Sequence, residues 1–298
     1  MTRPPDFIII GAMKCATSTL HEELAVQDGV FMSTPKEPCF FSDDEVYLRG
    51  VDWYTNLFSL AEAGDVCGES STHYTKRPAL PKTIERMREH LPRSVKFIYV
   101  IRHPIDRLIS HYIHDWSDGR IRVPLEQAIE RHSDLIDVGR YAMQIRPFIE
   151  EFGPKRLLLI PFEGVRDRPQ CEFDRLCKFL GIESPVKWDK GPGTRNVSSQ
   201  RLRKNAIRDA VVWNPVVTRV RRALVPQAIR DRIKGMWQMK ERPTLTEATR
   251  RYLSEVFDAD LSMLSDWIGR RMSCADFSEC VLNEPLDWST SLTRSIAR

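Results

Sequence analysis

The chain has 298 residues, of which 42% are hydrophobic and 29% charged, with a formal net charge of +4. That length suits one large α/β domain or two small ones and buries a core without disulfide staples. The mild charge argues against a nucleic-acid binder and suits an anionic ligand. The seven cysteines are odd in number and show no CxxC or other zinc spacing, so they read as free, mostly buried thiols in a reducing compartment, with no metal expected. The apolar run Phe7 to Ile10 is too short for a signal-peptide core, and no stretch approaches the length of a transmembrane helix. These features give a cytoplasmic expectation.

In chain order, Phe7 to Ile10 with Gly11 behind it predicts a buried parallel strand. A helix follows over 18–26, and short strands are expected at 30–33 and 66–69. Pro81 to His90 predicts a helix with Pro near its start. Lys96 to Ile101 is the clearest strand. Pro104 then opens a helix over 105–116. Helices are expected at 125–132 and 141–152, a strand at 156–160, and a helix ending at Gly181. The segment 191–200 is a polar Gly/Pro/Ser loop, 201–240 is arginine-rich with interleaved Val, Leu, Ile and Trp, and 245–269 is helical. Beyond Asp276 no periodicity is visible, so 276–298 reads as a tail. Strands alternating with helices predict an α/β fold with a central parallel sheet flanked by helices.

Two segments carry chemistry. Gly11-Ala12-Met13-Lys14-Cys15-Ala16-Thr17-Ser18-Thr19 joins the first strand to the first helix. There, backbone N–H groups, a helix dipole, a lysine and hydroxyls converge as they do around a bound phosphate. It is not a Walker A loop, because Lys14 comes three residues after the glycine and Ala16 precedes the hydroxyls. A βα turn with an incidental lysine is the plain alternative. The second segment, Arg102 to Tyr112, ends the best strand and opens a helix, with Arg102 at a strand carboxyl end and Ser110 about two turns further on. Arg offers a planar fork to phosphate, and Ser adds a donor. The alternative is a surface pairing of Arg102 with Asp106. Two anion sites suit a ligand with phosphate at both ends.

Together these segments resemble the sulfotransferases that use 3′-phosphoadenosine 5′-phosphosulfate (PAPS), particularly the heparan sulfate sulfotransferases and their bacterial relatives. In that family a strand–loop–helix with a K-x-G-T core binds the 5′-phosphosulfate, and R-x-P-x-x-R-x-x-S-x-Y binds the 3′-phosphate. The second motif is complete here, while the first carries Cys15-Ala16 where the family favours small residues, often glycine. Glu37-Pro38-Cys39-Phe40-Phe41 resembles the E-x-x-F-F segment whose glutamate is the general base, with Cys39 where histidine is frequent. Glu69 to Tyr74 resembles E-K-x-P-x-Y, with Ser70 in place of the lysine. Asn196 and Ser198 with Arg201 resemble a loop that closes over the nucleotide in bacterial members.

The resemblance spans residues 6 to 270 and implies a P-loop NTPase-like three-layer fold in one domain over 1–275. Lys14 would stabilise the leaving phosphate, Cys15 to Thr19 would line the 5′-phosphate, Arg102 and Ser110 would hold the 3′-phosphate, and Glu37 would take the acceptor proton, with His73 the alternative base. The implied acceptor is a hydroxyl- or amine-bearing small molecule, glycan or lipid. The segment 201–240 suits a lid, an acceptor-binding insert, a peripheral membrane contact or a merely solvated face. A nucleotide kinase and a non-catalytic nucleotide-binding protein remain the competing functions.

Overall fold

Five short runs, each too brief for a helix, become strands; four are largely apolar, and the third in chain order carries Glu69 and Ser70. They are β1 (Phe7–Gly11), β2 (Val30–Met32), β3 (Val66–Ser70), β4 (Lys96–Ile101) and β5 (Leu157–Pro161). The computed structural model describes residues 3–183, 185–189, 242–290 and 292. All strand pairs are parallel, in the order β2-β3-β1-β4-β5. Register places Ile8 beside Glu69 and Ile9 beside Ile98. Every residue of β1 and β5 is buried, as expected of a parallel sheet covered on both faces.

The strand order locates the ligand crevice. After β1 the chain runs toward β2, and after β4 it runs the opposite way toward β5. The carboxyl ends of β1 and β4 therefore flank the point where the winding reverses, which is where open α/β sheets bind ligands. Both chemistry-bearing segments begin at those two ends.

Helices flank the sheet, and most lie within one or two residues of the expected bounds: Thr17–Leu24, Thr83–His90, Pro104–Ser117, Leu125–Arg131, Tyr141–Phe152, Pro169–Leu180 and Glu247–Ile268. Their stops have local causes. Gly181 and Gly269 adopt left-handed φ values of 85° and 69° at the ends of two of them, a conformation that glycine enters without a Cβ clash. The start of Tyr141–Phe152 is capped from a distance, because buried Asp260 accepts from the Ala142 and Met143 amides at 2.8 and 3.0 Å.

The structure adds short elements that the sequence pattern does not announce. Asp44–Tyr47 and Val51–Asn56 are helical, as are Asp134–Asp137 and Phe162–Asp167. Beyond Asp276, where no periodicity was expected, Phe277–Asn283 is a helix that buries Phe277 and Val281, and Leu286 is buried after it. Four of the cysteines are buried (Cys15, Cys67, Cys177, Cys274), Cys39 and Cys280 are half-buried, Cys171 is exposed, and all seven are free thiols. Among the described residues no helix is long and apolar enough to cross a membrane.

Candidate active site

The first anion segment leaves β1 through Gly11. A Cβ there would come within 2.2 Å of Thr75 Oγ1 and 2.8 Å of a Tyr99 ring carbon. Only glycine lets these side chains close in, and Thr75 Oγ1 uses the space to donate to the Ile10 carbonyl at 2.7 Å. The Ala12 amide still donates to Val100 O of β4 at 2.9 Å, so the loop departs from a fixed base. Lys14 and Ala16 then adopt left-handed φ values of 73° and 64°. These are conformations that glycine adopts freely and other residues adopt at a cost. The loop thus follows a glycine-like path at Ala16, where the resemblance expects glycine.

The helix Thr17–Leu24 starts with no side-chain cap. The Thr19 and Leu20 amides donate to the Ala16 carbonyl at 3.0 and 3.2 Å, and the Thr17 and Ser18 amides at the very start have no intrahelical acceptor, so an anion is the natural partner for them. Thr17 is buried, and Ser18 and Thr19 are half-buried at this end. Burial pushes the Cys15 thiol up to about 12, which makes it a packing group and no nucleophile.

Arg102 ends β4. Its backbone is pinned by Tyr141, whose hydroxyl accepts from the Arg102 amide at 3.2 Å and donates to the Arg102 carbonyl at 2.6 Å. Its guanidinium lies over the Phe162 ring at 4.4 Å, and Nη1 donates to the Lys14 carbonyl at 3.4 Å. The expected alternative, a pairing with Asp106, is not what forms: Asp106 Oδ1 accepts from Arg242 Nη2 at 2.6 Å. Ser110 is buried on the helix that follows. The second arginine of the motif, Arg107, is fully buried, with Nη1 3.3 Å from His111 Nδ1 and Nη2 bonded to the Leu135 carbonyl. It fixes the helix rather than meeting a ligand.

Glu37 is tied to β3 by its amide, which donates to Ser70 O at 2.9 Å. Its carboxylate accepts from Lys36 Nζ at 2.9 Å and from Thr72 Oγ1 at 3.2 Å. Burial pushes its pKa up, but Lys36, His73 and Thr72 outweigh burial and hold it below the usual carboxylate range. Glu37 is therefore ionised at neutral pH and able to accept a proton. His73 lies in the 3-10 turn Thr72–Thr75 after β3. Burial first, and then Lys76, push its pKa down, so the imidazole is neutral at the same pH.

The fold brings one atom each of Glu37, Cys39 and His73 within 4.8 Å of one another. No ligand spacing in the sequence announces this cluster, because His73 comes from a different strand end. Sequence reasoning also assigned no role to Glu69. Fully buried on β3, it accepts from Tyr54, Tyr74 and Ser71 hydroxyls, each at 2.8 Å, and burial pushes its pKa up to about 7. Ser71 Oγ also accepts from the Cys39 amide at 3.1 Å, so the Glu37–Cys39 loop hangs on the Glu69 network. The signal available in sequence was only that an acidic residue interrupts a strand.

The expected site residues thus gather at the carboxyl ends of β1, β3 and β4, with Lys14 joined to Arg102 and Glu37 joined to the β3 turn. Asn196, Ser198 and Arg201, and the 201–240 segment with its lid or membrane reading, lie outside the described residues.

Over 189 residues the chain is 30% identical to heparan sulfate glucosamine 3-O-sulfotransferase 3B1 of Mus musculus, covering 60% of this chain and 46% of that protein. Over 200 residues it is 26% identical to the bifunctional heparan sulfate N-deacetylase/N-sulfotransferase 2 of Homo sapiens, covering 60% of this chain and 22% of that protein. The chain therefore spans less than half the length of these curated relatives. A sulfotransferase from Alicyclobacillus acidocaldarius shares the fold, with a TM-score of 0.63 and 23% identity over 91% of this chain and 98% of that one. Residues 4–267 match the family described as the sulfotransferase domain, and the chain belongs to that family.

Proposed function

We propose that this chain transfers the sulfuryl group of PAPS to a hydroxyl or amine of a small-molecule, glycan or lipid acceptor in the cytoplasm. The observation that carries the reading is the contact between Arg102 and the Lys14 carbonyl, which makes one cationic edge of the two anion segments at the winding reversal. The residues fit such a ligand. The helix start after Ala16 lacks a side-chain cap, and two cationic residues stand at adjacent strand ends.

When bound, PAPS supplies an activated sulfuryl group on a nucleotide that carries phosphate at both the 3′ and 5′ positions. Lys14, the Thr17 and Ser18 N–H groups and the hydroxyls from Thr17 to Thr19 hold the 5′ side and offset the charge that develops on the leaving phosphate oxygen. Arg102 and Ser110 hold the 3′-phosphate, which separates PAPS from ATP. Glu37, ionised and fixed by Lys36 and Thr72, takes the proton of the acceptor. General-base help of this kind is worth roughly 10²–10⁴-fold. The curated relatives named for heparan sulfate make a glycan the first acceptor class to screen.

Calorimetric titration with 3′-phosphoadenosine 5′-phosphate (PAP), beside AMP and ATP, tests the reading. Tight binding of the bisphosphate alone supports it. Preference for ATP, above all with magnesium, overturns it in favour of a nucleotide kinase.

A further inference from the structure

Glu37, Cys39 and His73 offer a carboxylate oxygen, a thiol sulfur and an imidazole nitrogen, all within 4.8 Å of one another and all half-buried, so that solvent reaches them. This O, S and N set is the one zinc favours. In a tetrahedral zinc site with bonds of about 2.0–2.3 Å, neighbouring ligand atoms stand about 3.4–3.6 Å apart. From separations within 4.8 Å, the cluster closes by at most about 1.4 Å to take an ion. Three protein ligands leave a fourth position open to water.

The ligands are held on two segments that are themselves tied together. Glu37 and Cys39 take left-handed φ values of 58° and 55°, a local cost that persists where surrounding contacts fix it. Those contacts are the Glu37 amide on Ser70 O at 2.9 Å and the Cys39 amide on Ser71 Oγ at 3.1 Å. His73 follows Ser70 and Ser71 from the end of β3. A second group, His111, Asp115 and Asp134, also converges. There Arg107 stands 3.3 Å from His111 Nδ1 and Arg120 3.3 Å from Asp115 Oδ1, and no thiol takes part, so cations already cover it.

We propose that Glu37, Cys39 and His73 form a binding site for a soft divalent cation, Zn²⁺ as the probe, and that an ion seated there blocks transfer by occupying the carboxylate that receives the acceptor proton. Ligation displaces the Cys39 thiol proton to the buffer and leaves a thiolate–zinc bond. Lys36, 2.9 Å from Glu37 Oε1, competes with the ion, so binding is reversible rather than structural. The blocking half rests on the reading of Glu37 as base, and the binding half does not.

The test is a competition titration of Zn²⁺ between a chromophoric chelator and the full, reduced chain, with exposed Cys171 and half-buried Cys280 replaced by serine. One equivalent of zinc is expected. Loss of an outer partner alone costs roughly 10–100-fold in metal affinity, so C39S and H73Q should each weaken binding by at least that much. PAP affinity, measured by calorimetry on the same samples, should stay unchanged and so report an intact fold. K36M should tighten zinc binding. Zinc should depress transfer, and chelator should restore it. Absence of a one-equivalent site, or binding untouched by C39S and H73Q but lost in H111Q, overturns the proposal. Zinc seated at the site with transfer undiminished overturns the blocking half. Failure of the metal-free protein to transfer sulfuryl to any acceptor counts against the proposed function and leaves the zinc measurement standing.

Discussion

The guanidinium of Arg102 reaches back from the end of β4 to the carbonyl of Lys14, 3.4 Å away, so the cofactor edge is a single surface built from two strands. Tyr141 holds the Arg102 backbone from both sides, and Phe162 lies under the guanidinium. The charge is thus positioned before any ligand arrives. Arg102→Ala should raise the apparent KM for PAPS and weaken PAP by roughly ten- to hundredfold, the scale of a hydrogen bond to a charged group. AMP, which lacks the 3′-phosphate, should bind the variant and the wild type alike. Calorimetry with both nucleotides checks this, and an equal loss for AMP removes the 3′-phosphate assignment.

Glu37 should set the acid side of the pH–rate profile. Its pKa lies below the usual carboxylate range, with Lys36 the first of the groups that outweigh burial. The base works when deprotonated, so activity should fall only as pH drops through that lowered value. Lys36→Met should let the pKa rise and carry the acid limb to higher pH. Glu37→Gln should cut kcat by roughly 10²–10⁴-fold with PAP affinity kept. Near-full activity in that variant moves the base role to His73, since burial pushes the Cys39 thiol of the cluster up to about 11 and keeps it protonated.

Much of this was legible because periodicity and motif spacing are local. Phe97–Ile101 is an unbroken apolar run, and Tyr141–Phe152 repeats its apolar face over three turns. Asp44–Tyr47 and Phe277–Asn283 were not legible, because four to seven residues hold too few turns to show a period. Asp43 did carry the N-cap signal, accepting from the Glu45 and Val46 amides. In the site, Arg102 was singled out by its place at a strand end and Glu37 by the family resemblance. The burial of Glu69 could not be read in this way, since its donors Tyr54 and Tyr74 arrive from different segments. Nor could the meeting of Cys39 with His73, which depends on how the Glu37 loop is hydrogen-bonded to β3.

Ala16 sits at φ 64°, where an L side chain costs about 1–2 kcal/mol. Ala16→Gly removes that cost and returns part of it as extra freedom of the unfolded chain, about 0.4–1 kcal/mol. A net gain of about 0.5–1 kcal/mol is expected, a rise of about 2 °C in Tm for a domain of this size. PAP affinity should hold or improve, because the backbone then meets the anion without a Cβ beside it. Differential scanning calorimetry decides the matter, and a lower Tm contradicts the strain argument.

Glu69 should make stability depend on pH near neutrality. Burial pushes its pKa from 4.5 up to about 7, so the folded chain binds this proton more tightly than the unfolded chain. The contribution is full below pH 4.5, falls as pH rises, and is gone above about 7. At 1.36 kcal/mol per pKa unit the swing is on the order of 3 kcal/mol. His21 acts in the opposite sense: burial lowers its pKa to about 4, so its contribution is present above pH 6.5 and lost as pH falls through 4. The two overlap, and only a difference curve isolates Glu69. Denaturant midpoints of the wild type and Glu69→Gln should therefore converge or cross between pH 4.5 and 7.5, the variant losing less stability as pH rises. Gln still offers one oxygen to Tyr54 and Tyr74, so the hydroxyl network keeps an acceptor. Parallel curves across that range place the Glu69 proton outside the folding equilibrium and leave the three hydroxyl donors as its sole structural role.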